Sequence, residues 1–207
     1  MLGLILIGIV LIYLLSGKSE IENEKLSKFA RRTYMPLCYE GGAEEEWGER
    51  DVAYKFTSPD ACVLEFGGGA GSVSHVIQRV LKNPSDHVVV QPDDSDAMFG
   101  GLAQLRRNKE ACKSDYKIID HVLARGEGQS IRSMVSRPFS LIVADCEGCL
   151  LEEYEKNPDL FENVKMIQVE RDDDNIYDSI FKRLNMKKVY SGPHVGSLNV
   201  EVWVLNE

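Results

Sequence analysis

The stretch that most constrains this chain is Val63-Leu64-Glu65-Phe66-Gly67-Gly68-Gly69-Ala70-Gly71-Ser72, an apolar run that ends in glycines. Residues 61–66 read as a buried strand. Residues 70–81 read as a helix, with Val73, Val76, Ile77, Val80 and Leu81 on one face. A strand that turns through glycine into a helix presents bare backbone and a helix N-terminus at one spot. A ligand can lie directly against the main chain there.

The rest of the chain repeats this rhythm. Strands over 87–91, 116–122, 139–145 and 164–170 alternate with helices over 96–108, 131–135, 150–156 and 176–184. Residues 187–190 and 199–205 follow as a closing strand pair with no helix between them. The fold class is therefore α/β, a doubly wound, mostly parallel seven-stranded sheet of Rossmann-like type covered on both faces. No internal repeat or low-complexity tract interrupts it.

The 207 residues suit one such domain plus an appendage. A net charge of -9 argues against a nucleic-acid backbone as the main partner, because phosphate binding calls for a basic surface. Five cysteines, at 38, 62, 112, 146 and 149, are an odd, scattered set rather than a disulfide framework, which favours a reducing compartment. Cys146-x-x-Cys149 has redox spacing, but it lies at a strand end with no second pair to complete a zinc site.

The appendage is N-terminal. Residues 2–15 are apolar apart from two glycines, and extended to residue 17 they make roughly 25 Å of helix, at the short end of a bilayer span. No basic segment precedes the run and no small-x-small site follows it, so a retained anchor is favoured over a cleaved signal peptide. Lys18, Lys25, Lys28, Arg31 and Arg32 come next, which places the globular part on the cytosolic side. The expected domains are a membrane anchor over 1–17, a charged, solvated stalk over 18–33 and the α/β domain over 34–207. Within 34–47, Glu44-Glu45-Glu46 reads as a solvated helix start, in a segment that can fold over a cofactor before the first strand.

In an open parallel sheet, ligands collect beyond the carboxyl ends of the strands. Those ends are polar here: Glu65; Gln91, Asp93 and Asp94; Asp120 and His121; Asp145 and Glu147; Glu170, Arg171 and Asp172. A dinucleotide fingerprint needs a third glycine where this chain has Ser72 or Ser74. The spacing after Glu65 is closer to the E/D-x-G-x-G-x-G turn of S-adenosylmethionine (SAM) methyltransferases, whose cofactor has no pyrophosphate to seat.

From about residue 40 to 207 the chain resembles the FkbM-type family of class I SAM-dependent methyltransferases. The resemblance runs through Val63 to Gly71, Val88-Val89-Val90-Gln91-Pro92, Ile142-Val143-Ala144-Asp145-Cys146-Glu147-Gly148 and Met166-Ile167-Gln168-Val169-Glu170. It implies an O-methyltransferase acting on a hydroxyl of a sugar or other small-molecule or glycan acceptor. On that reading Glu65, Gly67, Gly69 and Gly71 frame the methionine part of SAM, Gln91 and Asp93 the ribose, and Asp120, His121 and Val122 the adenine side. Asp145 lines the cofactor pocket and, with Glu147, meets the acceptor. The family usually has an acid where this chain has Gln91. A neutral amide oxygen still accepts a hydroxyl's hydrogen bond, but more weakly, so weaker cofactor binding or help from Asp93 is expected.

Methyl transfer from a sulfonium is an in-line displacement that depends on holding the acceptor oxygen behind the methyl. Asp145, Glu147, Glu170 and His194 are the candidate bases, and His194 is the type best suited to neutral pH. No metal ligand is assigned. A divalent ion on Asp145, Glu170 and Asp172 is the less favoured reading, since strand-end acids ordinarily order turns. Two other functions compete: a catalytically reduced, membrane-tethered interaction module, motivated by Gln91, and a nicotinamide-dependent dehydrogenase, disfavoured by the glycine spacing.

Overall fold

The computed structural model describes residues 38–41, 46–92, 101–171, 177–193 and 199–206. The chain divides into two units, Met1–Tyr34 and Met35–Glu207, and everything below concerns the second. Its strands are β1 (Val63–Phe66), β2 (His87–Val90), β3 (Lys117–Ile119), β4 (Leu141–Ala144), β5 (Met166–Arg171), β6 (Met186–Pro193) and β7 (Asn199–Leu205). They form one sheet in the order β3-β2-β1-β4-β5-β7-β6. The first five pair in parallel, and β7 runs antiparallel between β5 and β6. The helices are α1 (Trp47–Phe56), α2 (Ser72–Val80), α3 (Gly101–Ala111), α4 (Gly128–Arg132), α5 (Cys149–Lys156) and α6 (Asp178–Arg183), with a 3-10 turn over Pro158–Phe161.

Side chains alternate across a strand, and register therefore decides which residues share a face. Leu64, Phe66, Val88, Val90, Ile142, Ala144, Ile167 and Val169 all pack into the largest apolar cluster, with Leu150, Phe161, Tyr177 and Phe181 laid over them. The opposite face is mixed. Glu65 is in register with Val89 and Val143, and Gln168 and Glu170 with Val202 and Val200. Helix α1 covers part of this face, packing on β5, β7 and α2, and its Val52 meets Val200 and Val202. Buried acids on this face lie between sheet and helix.

The strands are shorter than the sequence pattern suggests where a neighbour runs out. Residues 116–122 yield only Lys117–Ile119, because Ile119 is in register with the last residue of β2, Val90. Helix α1 begins at Trp47 with a half-buried Glu46 as its N-cap, and residues 44 and 45 of the solvated helix start expected there lie outside the described residues. The interior it enters takes charged residues, Glu49 and Arg50, as well as Val52 and Ala53.

Two expectations are corrected. Four of the five cysteines pair, Cys38 with Cys112 and Cys146 with Cys149, and only Cys62 is free and buried. Folding brings Cys38 and Cys112, 74 residues apart, to a Cα separation of 5.2 Å, which sequence spacing does not reveal. The same segment is held by Asn108, whose amide donates to the carbonyls of Glu40 and Ala70, each at 2.9 Å. Paired thiols remove the support for a reducing compartment. The membrane-anchored, cytosol-facing placement fails as well: among the described residues no helix is long and apolar enough to cross a membrane. The longest, α3, has 11 residues, roughly 16 Å against a hydrocarbon layer of about 30 Å. The segments over 1–17 and 18–33 lie outside the described residues.

Candidate functional site

β1 and β4 lie side by side, and the connections from them leave in opposite directions, toward β2 and toward β5. Beyond their carboxyl ends, where a doubly wound sheet opens a crevice, is a cavity of about 510 Å³. Phe66, Val90 and Ala144 end their strands in one register row. The next residue in each strand reaches the cavity: Gly67, Gln91 and Asp145.

The glycine turn is laced to both neighbouring strands. Gly67 N–H donates to the Val90 carbonyl at 3.0 Å, and Asp145 N–H donates to the Phe66 carbonyl at 3.0 Å. Gly67 adopts φ +81°, and a Cβ there would sit 1.5 Å from the Asp145 carbonyl oxygen. The main chains of the turn and of the β4 end are thus in direct contact, leaving no room for a side chain. Gly69 also lines the cavity, and its N–H donates to Gln91 Oε1 at 2.7 Å. Gln91 therefore acts as a latch on the turn as well as a wall of the cavity, using the one oxygen it shares in type with an acid.

That latch gives a prediction. Gln91→Leu leaves the Gly69 N–H without its partner and is expected to weaken S-adenosylhomocysteine (SAH) binding about tenfold. Gln91→Glu restores an acceptor that carries charge, and is expected to keep affinity within about threefold or improve it. Calorimetric titration of both variants checks this.

Several sequence-predicted residues lie elsewhere. Glu65 does not line the cavity. It is buried beneath the turn, where its carboxylate accepts from the Ser74 hydroxyl at 2.8 Å and pairs with His87 Nε2 at 2.8 Å. Gly71 caps α2 with φ +92° and packs toward Leu105, His75 and Tyr116 rather than toward the cavity. Of the three expected on the adenine side, Asp120 is exposed and pairs with Arg106 at 2.6 Å, while Val122 lines the cavity. His121 does not: it is 57% exposed and reaches Glu127 and Asp120. Asp93, His194 and Asp172 lie outside the described residues.

The β4 end supplies the polar wall. After Asp145 the chain reverses at once, with Glu147 at φ +51° and Gly148 at φ +90° starting α5. Asp145, Cys146, Glu147, Cys149, Glu152 and Glu153 all line the cavity. Burial pushes the Glu153 carboxyl above its ordinary range. From the other side comes Glu46, which accepts from the Ser72 hydroxyl at the start of α2. The described lining holds five carboxylates and no lysine, arginine or histidine. Beside it, burial first, then the charges of Asp145, Glu46, Glu170 and Glu65, push the Glu49 carboxyl well above the usual carboxylate range.

Sequence pattern alone passes over Glu49, Glu152 and Glu153, and takes Glu46 for part of a solvated helix start. The available signal is spacing: Glu46 and Glu49 are three apart at a helix start, and Cys149, Glu152 and Glu153 recur at i, i+3 and i+4 on one face of α5.

No protein-family model matches the chain, and no curated protein matches it. Solved structures do. A Streptococcus pneumoniae protein proposed to be a tRNA (m1A22) methyltransferase, in complex with SAM, aligns with a TM-score of 0.55 at 15% identity, over 76% of this chain and 72% of that one. An O-methyltransferase from Bacillus cereus in complex with SAH aligns at 0.53 and 15% identity, over 87% and 89% of the two chains. The precorrin-6y C5,15-methyltransferase of Geobacter metallireducens aligns at 0.55 and 12% identity, over 76% and 87%.

The fold is that of Rossmann-like methyltransferases. The expected seven-stranded, mostly parallel sheet with an antiparallel final pair is the observed one.

Proposed function

We propose that the protein is a SAM-dependent methyltransferase that moves the sulfonium methyl to a hydroxyl of a small acceptor, such as a sugar. The observation that carries this reading is the cavity, which is floored by bare main chain at Gly67 and walled by acids with no basic residue among its described lining. A sulfonium nucleoside is cationic where it reacts, and carboxylates attract it. A dinucleotide would set its phosphates against the same carboxylates, so the lining favours the sulfonium cofactor. Its volume of about 510 Å³ is in the range of small-molecule sites.

The roles follow from position. Gly67 and Gly69 offer backbone to the amino-acid part of the cofactor, Gln91 and Pro92 stand at the ribose end, and Val122 offers apolar surface to the nucleobase. Asp145 and Glu147 face the acceptor. The bound cofactor supplies an electrophilic methyl, and the chain's task is to align the acceptor oxygen and take its proton. Asp145 and Glu147 are the proposed bases. The hydroxylated acceptor class rests on the FkbM-type resemblance. The net charge of -9 and the acidic wall add that the acceptor is neutral or cationic.

The test is transfer itself. The full chain is incubated with methyl-labelled SAM and a fractionated small-molecule extract. The expected result is label on an oxygen of a discrete product. Label found only on nitrogen or carbon contradicts the acceptor class, and no labelled product in any fraction contradicts the enzyme.

A further inference from the structure

Three carboxylates from three elements meet on the buried side of the cavity wall. Glu49 comes from α1, Glu170 from β5 and Asp145 from the end of β4, and one oxygen of each lies within 4.8 Å of the others. Glu49 is 4% exposed and Glu170 6%, while Asp145 is half-buried and also lines the cavity. One Glu49 oxygen, Oε2, is buried with no hydrogen-bond partner.

Carboxylates removed from water are stable only when paired, protonated or ligated to a metal. The three oxygens lie within 4.8 Å of one another, the spacing of oxygens on opposite sides of a Ca²⁺-sized ion with bonds of about 2.4 Å, so small side-chain shifts toward their centre bring all three to a single hard cation. We propose that Glu49, Asp145 and Glu170 bind one divalent cation, of the Mg²⁺, Mn²⁺ or Ca²⁺ class, in a site that shares Asp145 with the cavity. An all-oxygen set selects such ions over zinc or copper, which favour nitrogen and sulfur. The solvent-poor Glu49 carboxyl, with Oε2 buried and unpartnered, is then a ligand awaiting its ion.

The ion's consequence for chemistry rests on the methyltransferase reading; its binding does not. An ion ligated by Asp145 brings positive charge to the acceptor end of the cavity, where a hydroxyl must shed its proton, and with the ion bound Glu147 is the base that takes it.

The test uses the full chain and Mn²⁺ followed by electron paramagnetic resonance, which reads free ion directly. The expected result is one saturable Mn²⁺ site per chain, competed by Mg²⁺ or Ca²⁺ and weakened at least tenfold by Glu49→Gln and by Glu170→Gln. Glu162→Gln, at an exposed acid, is expected to leave it unchanged. No saturable site in the wild-type protein overturns the proposal, as does unchanged binding in both variants. A crystal soaked in Mn²⁺ gives a second reading that needs no variant: an anomalous peak among the three carboxylates supports the site, and a peak only elsewhere overturns it. SAH titrations on the same samples separate the two claims. SAH binding without Mn²⁺ binding removes the ion alone, and Mn²⁺ binding without SAH binding removes the methyltransferase reading alone.

Discussion

Gly67→Ala is expected to abolish SAH binding and to lower the melting temperature by about 8–16 °C, the equivalent of about 4 kcal/mol in a domain of this size. Two effects add. The residue holds φ +81°, which strains any side chain, and its Cβ would lie 1.5 Å from a backbone oxygen, that of Asp145. A flexible side chain could swing away, but a carbonyl inside a strand-end hydrogen-bond network cannot. The turn must therefore move off β4, which opens the cavity floor. Gly126→Ala separates the two effects. Gly126 has φ +85° with nothing within 4 Å of a Cβ placed there, so only the strain of about 1 kcal/mol applies, a shift of about 2–4 °C. Equal melting temperatures for the two variants would show that the turn and β4 are not in contact.

Asp145→Asn is expected to lower methyl transfer by about 10²–10⁴-fold while leaving SAH affinity within about threefold. The substitution keeps the shape of the side chain and the backbone carbonyl on which Gly67 packs, and removes the negative charge and the proton-accepting power. A loss confined to turnover is the signature of a group acting on the acceptor. Glu147→Gln, at an exposed residue on the cavity rim, is the comparison. If it costs more than Asp145→Asn, the proton passes through the rim instead. Labelled-methyl transfer and calorimetry on the same preparations measure both quantities.

Local pattern made the frame of this fold legible. Short β-branched runs, glycine breaks and amphipathic helices are properties of neighbouring residues, and they carried the sheet, the glycine turn, Gly67, Gly69, Gln91 and Asp145. Register is not local, and it accounts for the errors. Glu65 is the polar residue nearest the end of β1, but Phe66 follows it in the strand, so Glu65 points into the sheet–helix layer toward Ser74 and His87. The positions that reach the cavity are one step further on, as Gly67, Gln91 and Asp145 show.

Helix α1 was hidden for a related reason. Its buried face contains Gly48, Glu49 and Arg50 beside Val52 and Ala53, so apolar spacing does not mark it. The groups that meet Glu49 there come from β4 and β5, more than ninety residues away in the chain. The disulfide from Cys38 to Cys112 was invisible on the same grounds.

The central claim is that bare main chain at the β1 turn, walled by acids, seats a sulfonium nucleoside. Calorimetric titration of the full chain with SAH and, separately, with a nicotinamide dinucleotide tests it most directly. One SAH per chain with no dinucleotide binding is the predicted result; no SAH binding, or binding of the dinucleotide in its place, would contradict it.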